Sequence, residues 1–157
     1  MLLPPFEFHE PLDLGQALAL KRDLGENARF LAGGTDLLVH LKKKLVTTDN
    51  IISLSRIKAL ALIGQEENAV FIGACATMAQ LSSSPLIREK FPAIKSSCDN
   101  LGTHLIRNRA TIGGNACNAS PAGDTLPPLL VYDALALVES HDKKREIPIA
   151  EFFTGPG

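Results

Sequence analysis

One stretch restricts the fold of this chain more than any other: Arg109-Ala110-Thr111-Ile112-Gly113-Gly114-Asn115-Ala116-Cys117-Asn118-Ala119-Ser120-Pro121-Ala122-Gly123-Asp124. Small and hydroxylated residues dominate it, with two adjacent glycines and one carboxylate at its far end. So many poor helix formers argue against a core helix, and Gly-Gly followed by Ser-Pro argues against a strand. The composition suits a backbone that runs close to another surface. Leu31-Ala32-Gly33-Gly34-Thr35-Asp36 carries the same glycine pair. Two such turns, well apart in sequence, are candidates for holding one ligand together.

At 157 residues the chain fits one domain or two small lobes sharing a core. A net charge of −1 gives no global field that would favour nucleic acid or an anionic membrane. Lys42-Lys43-Lys44, the one basic cluster, follows an apolar run and reads as the C-terminal end of a helix, where cations complement the dipole. No run is long and apolar enough to span a bilayer, and Met1-Leu2-Leu3-Pro4-Pro5 lacks a charged n-region, so the expectation is a cytoplasmic protein. Cys75, Cys98 and Cys117 lie far apart and match no metal spacing. They read as free thiols, too few for a self-contained iron–sulfur cluster.

Along the chain, Pro4 to Pro11 is extended, and Asp13 caps a helix whose apolar face is Leu14, Ala17, Leu18 and Leu24. Arg29–Ala32 is a short buried strand. Thr35 or Asp36 then caps a helix through Leu37, Leu38, Leu41 and Leu45, and Ile51–Leu54 is a second strand. These pieces predict a small parallel sheet. Leu60–Gly64 and Ala69–Gly73 read as paired strands around Gln65–Asn68. Short helices are predicted from Thr77 to Leu81, from Ser84-Pro85 to Phe91, and from Pro92 to about Asn100 or Leu101. Leu126–Leu130 turns into another, and Ala134–Val138 pairs with Arg145–Ile149 as a hairpin. The closing Glu151-Phe152-Phe153-Thr154-Gly155-Pro156-Gly157 reads as a segment leading into something further, as in a fragment or one piece of an assembly.

Adjacent glycines let successive backbone N–H groups converge on an anion, and a following helix adds donors and a favourable dipole. Gly33-Gly34-Thr35-Asp36 fits a phosphate or pyrophosphate on that basis, with Asp36 turned away to cap the helix. Asn115, Asn118, Ser120 and Thr125 supply neutral donors and acceptors for sugar or ribityl hydroxyls, and Asp124 is an acceptor for vicinal hydroxyls. Tight turns without a ligand explain the same glycines equally well. His104, Arg107 and Arg109 read first as a solvated or internally paired cluster. Neither a Rossmann nor a P-loop glycine pattern is present, and His9, His40, His104 and His141 show no metal spacing.

At these two turns the chain resembles the FAD-binding subunit of the molybdenum hydroxylases, the xanthine dehydrogenase and aerobic carbon monoxide dehydrogenase family. Ala32-Gly33-Gly34-Thr35-Asp36-Leu37 matches the family pattern Ala-Gly-Gly-Thr/His-Asp/Ser-Leu. Thr111-Ile112-Gly113-Gly114-Asn115, followed by Ser120-Pro121-Ala122-Gly123-Asp124, matches the second. The resemblance implies an α+β fold with two subdomains, of the p-cresol methylhydroxylase and vanillyl-alcohol oxidase type, divided here as residues 1–57 and 58–157. It implies FAD as cofactor. The first motif, carried onto Phe30, Leu31, Ala32, Gly33, Gly34, Thr35, Asp36 and Leu37, would wrap the pyrophosphate. Thr111, Ile112, Gly113, Gly114 and Asn115 would also contact FAD, with Ser120 in the same motif, Asp124 at the sugar-alcohol region and Leu101 packing on the cofactor.

The resemblance further implies a flavin-dependent oxidoreductase subunit that works with partners. These are a molybdopterin-containing large subunit, where substrate is hydroxylated, and a small subunit with two [2Fe–2S] clusters. FAD collects electrons from those clusters and passes them to NAD or another acceptor. A family branch with an extra [4Fe–4S] loop is not matched, because Asn115 runs into Ser120-Pro121 without an insertion. The family subunit continues well beyond the position of Gly157, with a further strand, more flavin contacts and a C-terminal domain. The chain is therefore expected to be truncated, or completed by a separate chain. Two other functions stay open: a docking module without stable FAD, and an adenine-dinucleotide binder with no redox step.

Overall fold

The computed structural model describes residues 2–155. Pro156 and Gly157, and with them part of the Gly-Pro-Gly punctuation, lie outside the described residues, as does Met1.

The first part of the chain is built around one strand. β1 (Glu7–His9), β2 (Ala28–Leu31) and β3 (Asn50–Ser53) form a parallel sheet in the order β1-β3-β2. Phe8 and Phe30 are aligned with Ile51 and Ile52 on the two sides of β3. All four residues of β3 are buried, as a central parallel strand covered on both faces must be. Successive side chains alternate between those faces. Ile52 packs with Ala17, Ala28 and Ile57 beneath α1 (Leu14–Leu24). Ile51 packs with Leu31 and Leu41 beneath α2 (Leu37–Lys42). Burying each isoleucine contributes roughly 1.5–3 kcal/mol.

The local chemistry explains the ends of these elements. Asp13 caps α1 by accepting from the Gln16 N–H at 2.8 Å, and Gly25 ends it with φ 58°. Where β2 and β3 begin, Thr48 donates to the Asn27 and Asn50 carbonyls at 2.9 and 2.8 Å, and the Asn50 side-chain oxygen meets His9 Nε2 at 2.8 Å. α2 stops at Lys42, in the predicted basic cluster, so Leu45 falls past the helix and is exposed.

The remainder is a helical layer with two hairpins. A 3-10 turn over Lys58–Ala61 replaces the start of the strand expected from Leu60. The hairpin that follows is shorter than predicted, with β4 (Ile63–Glu66) antiparallel to β5 (Ala69–Ile72) and Glu67 at φ 49° in the turn. α3 (Met78–Ser83) begins at a reciprocal cap between Thr77 and Gln80. Ser84 caps α4 (Pro85–Lys90), and Pro92 opens α5 (Pro92–Asn100). Then come α6 (His104–Arg107), which the sequence reading did not foresee, α7 (Ile112–Asn118) and α8 (Leu126–Val131). β6 (Leu135–Glu139) and β7 (Lys144–Pro148) form the expected hairpin, and α9 (Ile149–Phe152) closes the described chain.

These elements share a core of Met78, Leu81, Ile87, Ile94, Cys98, Leu101, Ile112, Leu129 and Ile149. Phe91 and Tyr132 pack edge to face on it, ring centroids 4.9 Å apart.

Candidate functional site

The two glycine pairs come together, and backbone contact is what joins them. Leu31 is buried under α2 and ends β2, while Phe30 beside it is exposed. Ala32 and Gly33 then lead the chain against Arg109 and Ala110. A Cβ on Gly33 would stand 1.9 Å from the Arg109 carbonyl oxygen and 2.7 Å from its carbon. No side chain fits there, so only glycine allows the first loop to lie on the second. Gly34 follows with φ 78°, a conformation open to glycine at little cost.

From that point the backbone donors are unused. Among the described residues, the N–H groups of Gly33, Gly34, Thr35, Asp36 and Leu37 donate to no protein acceptor. Asp36 occupies the N-cap position of α2 in a helical conformation, and neither its side chain nor that of Thr35 caps the helix. This corrects the expected cap. The Asp36 carboxylate instead accepts from Thr35 Oγ1 at 3.3 Å and from Asn118 Nδ2 at 3.4 Å. The side chain of Leu37 turns inward to the core beneath α2.

The second glycine pair is different, and here the expectation of a non-helical turn is overturned. Gly113 and Gly114 lie in the first turn of α7, which Thr111 caps by accepting from the Gly114 N–H at 3.1 Å. The neighbouring N–H groups are all engaged: Ile112 to the Ala76 carbonyl at 3.1 Å, Gly113 to that of Ala74 at 2.9 Å, and Asn115 to that of Thr111 at 2.9 Å. Helix propensity opposes glycine here, but close packing requires it. A Cβ on Gly113 would come within 2.6 Å of Ala74 Cβ and 2.7 Å of its carbonyl oxygen. A Cβ on Gly114 would meet only Thr111 Oγ1, at 2.8 Å. The outer face of Gly114 is otherwise open.

Beneath α7 runs Gly73-Ala74-Cys75-Ala76, a strip the sequence reading did not single out. Its Gly73 is pressed onto Leu60, where a Cβ would stand 2.2 Å from the carbonyl oxygen. The run of small residues was the available signal. Burial pushes the Cys75 thiol up to about 11, so it stays protonated at neutral pH and brings no charge to the site.

The other predicted residues are distributed around this junction. Ile112 is buried in the core, and Leu101, 8% exposed, joins the same cluster at the end of α5. Asn115 accepts at Oδ1 from Thr125 Oγ1 at 2.6 Å. Thr125 is fully buried, which corrects its expected role as a free polar group. Ser120 turns the chain after α7, its Oγ accepting from the Ala122 N–H at 3.3 Å, and Asp124 is exposed just beyond. Arg107 donates to the carbonyls of Leu101 and Gly102 at 3.1 and 3.0 Å, tying down the approach to α6.

The arrangement therefore offers five free backbone donors in a row beside a glycine-faced helix. That donor set fits a phosphate-bearing ligand, since a pyrophosphate is an array of acceptors and the donors are neutral and fixed. Among the described residues no group of histidines, cysteines and carboxylates is placed to hold a metal ion.

Comparison with known proteins agrees with this chemistry. The chain is 33% identical over 155 residues to the carbon monoxide dehydrogenase medium chain of Hydrogenophaga pseudoflava, covering 99% of this chain and 54% of that one. It is 34% identical over 153 residues to the nicotinate dehydrogenase FAD-subunit of Eubacterium barkeri, covering 97% and 52%. A solved structure of carbon monoxide dehydrogenase from Hydrogenophaga pseudoflava superposes with a TM-score of 0.96 at 33% identity, over 99% of this chain and 54% of that one. The chain thus has their mixed helix and strand fold and spans about half the length of the curated relatives it matches. Residues 4–157 match the model of the FAD binding domain in molybdopterin dehydrogenase. With that match over nearly its whole length, the chain belongs to the family of FAD-binding domains of molybdopterin dehydrogenases, and its cofactor is FAD.

Proposed function

We propose that this chain is the FAD-holding part of an electron-transfer subunit in a molybdenum hydroxylase complex. The observation that carries the reading is the row of unengaged N–H groups from Gly33 to Leu37, laid by Gly33 onto the loop that enters α7. In this reading the pyrophosphate of FAD accepts from those donors. The open face of Gly114 in Thr111–Asn115 and the Asn115 amide N–H groups, with Ser120 and Asp124, serve the sugar and ribityl hydroxyls, and Phe30 and Leu101 flank the cofactor. Residues 1–57 and 58–157 act as two subdomains of the p-cresol methylhydroxylase and vanillyl-alcohol oxidase type, with FAD between them.

Bound FAD supplies the redox chemistry, and the protein binds, orients and insulates it. The first loop would neutralise the pyrophosphate with fixed dipoles, so binding requires no rearrangement of charged side chains. Asn115, its oxygen held by Thr125, presents its amide N–H groups in a defined direction. Partners in this reading are a [2Fe–2S] small subunit that delivers electrons and a molybdopterin large subunit that takes them from substrate. NAD or another acceptor removes them. No described helix is long and apolar enough to cross a membrane.

The visible absorption spectrum tests the proposal. Protein purified, or reconstituted with FAD, should carry flavin bands that dithionite bleaches. A colourless protein that does not change on FAD titration would overturn the reading for this chain.

A further inference from the structure

The first loop is pinned at two points, and only one of them is backbone. Gly33 rests on Arg109, and three residues on the Asp36 carboxylate reaches Asn118, the last residue of α7. Asp36 and Asn118 lie 82 residues apart in sequence. Between the two pins lie Gly34 and Thr35, in the middle of the donor row. The carboxylate occupies the N-cap position of α2 yet makes no cap, and the described residues provide it no cation. Its partners are neutral: the Thr35 hydroxyl and the Asn118 amide. An anion beside a phosphate-binding row is unfavourable unless it is held aside. A neutral donor on the opposite loop does that without placing a competing cation near the phosphates.

We propose that Asp36 and Asn118 are a positioning pair, a clasp between the two FAD loops that sets their separation and holds the Asp36 charge off the pyrophosphate. This rests on the reading that the donor row binds FAD, and it assigns neither residue a role in electron transfer. Two consequences separate the clasp from general structural support. A carboxylate at position 118 faces Asp36 and forces the loops apart, so Asn118→Asp weakens FAD binding. Removing the charge on the other side relieves this, because Asp36→Asn with Asn118→Asp restores an amide–carboxylate pair with its polarity reversed.

The test is a double-mutant cycle on the full chain with two readouts. Flavin fluorescence titration gives the FAD dissociation constant, and amide hydrogen exchange of Leu38 and His40, whose N–H groups donate to the Gly34 and Asp36 carbonyls, reports how firmly the loop is held in FAD-free protein. Coupling between contacting residues is typically ~2- to ~150-fold in an equilibrium constant. Asn118→Asp is expected to weaken FAD about tenfold and to speed exchange at both amides, and the double variant should recover most of both effects. If the double variant is no better than the sum of the single changes, the clasp is overturned while FAD binding by the parent chain stands. If the parent chain binds no FAD, the functional reading fails separately. The exchange readout still decides the clasp: rescue supports it, and unchanged exchange in Asn118→Asp overturns it.

Discussion

Gly33-Gly34 and Gly113-Gly114 look alike in sequence and do opposite things with their backbone. In each pair the first glycine is closed against protein: Gly33 on the Arg109 carbonyl, Gly113 on Ala74. The second of each pair has no backbone against it. The hydrogen-bonding groups then part company. After Gly33 the N–H groups donate to no acceptor among the described residues, whereas around Gly113 each finds one, on Ala76, Ala74 or Thr111. One pair is a donor surface and the other a spacer that lets a helix sit close. Adjacent glycines thus report a close approach of backbone; whether anion-binding donors remain depends on which carbonyls the rest of the fold brings near.

The contrast can be broken at its strongest point first. Gly33→Ala places a methyl where only backbone can yield, so a loss of about 3 kcal/mol is expected in denaturant unfolding, with FAD binding lost as the loops part. Gly113→Ala presses on Ala74 and should cost about 2 kcal/mol, lifting α7 off the strip beneath it. Gly114→Leu disturbs mainly the Thr111 cap, worth about 1 kcal/mol, while its side chain fills the open face. Flavin occupancy should therefore collapse in a protein that remains folded. If Gly114→Leu keeps its flavin, the open face is not where the cofactor lies.

The smallest effect is a control on α5, outside both pairs. Asp99 on α5 is held below the usual carboxylate range by Lys95, at 2.5 Å, and by the Ser82 hydroxyl. A carboxylate with a lowered folded value contributes stability above its unfolded pKa and loses it as pH falls through the folded one. Asp99→Asn should slightly flatten the acid limb of the stability curve and leave FAD affinity unchanged, as read by thermal melts across acidic pH.

What the sequence disclosed was local. Asp13, Thr77, Ser84 and Pro92 start helices through bonds or steric effects within one turn, and they stand where the pattern placed them. β2 and β3 follow from short apolar runs, whereas the proline-bounded stretch that forms β1 reads only as extended. α7 escaped because its stability comes from elsewhere: a cap, a close fit to Ala74 and Ile112 in the core override the propensity of Gly-Gly. The 3-10 turn at Lys58–Ala61 was hidden by Leu60-Ala61-Leu62, an apolar run that reads as strand until Gly73 is seen folded onto it. Both loops of the site were legible as glycine pairs with polar neighbours. Asp36 was misjudged because its partner, Asn118, is distant in sequence and an N-cap position invites the commoner local answer.

The contact of Gly33 with Arg109 also has a consequence for how the protein is made. A ribosome delivers the first loop long before the surface it must rest on, and non-local contacts of this kind are closed late. Until Arg109 has emerged and α7 has docked, the donor row has no floor. If FAD binds as proposed, flavin retained by a newly made chain marks one whose two distant segments have already met.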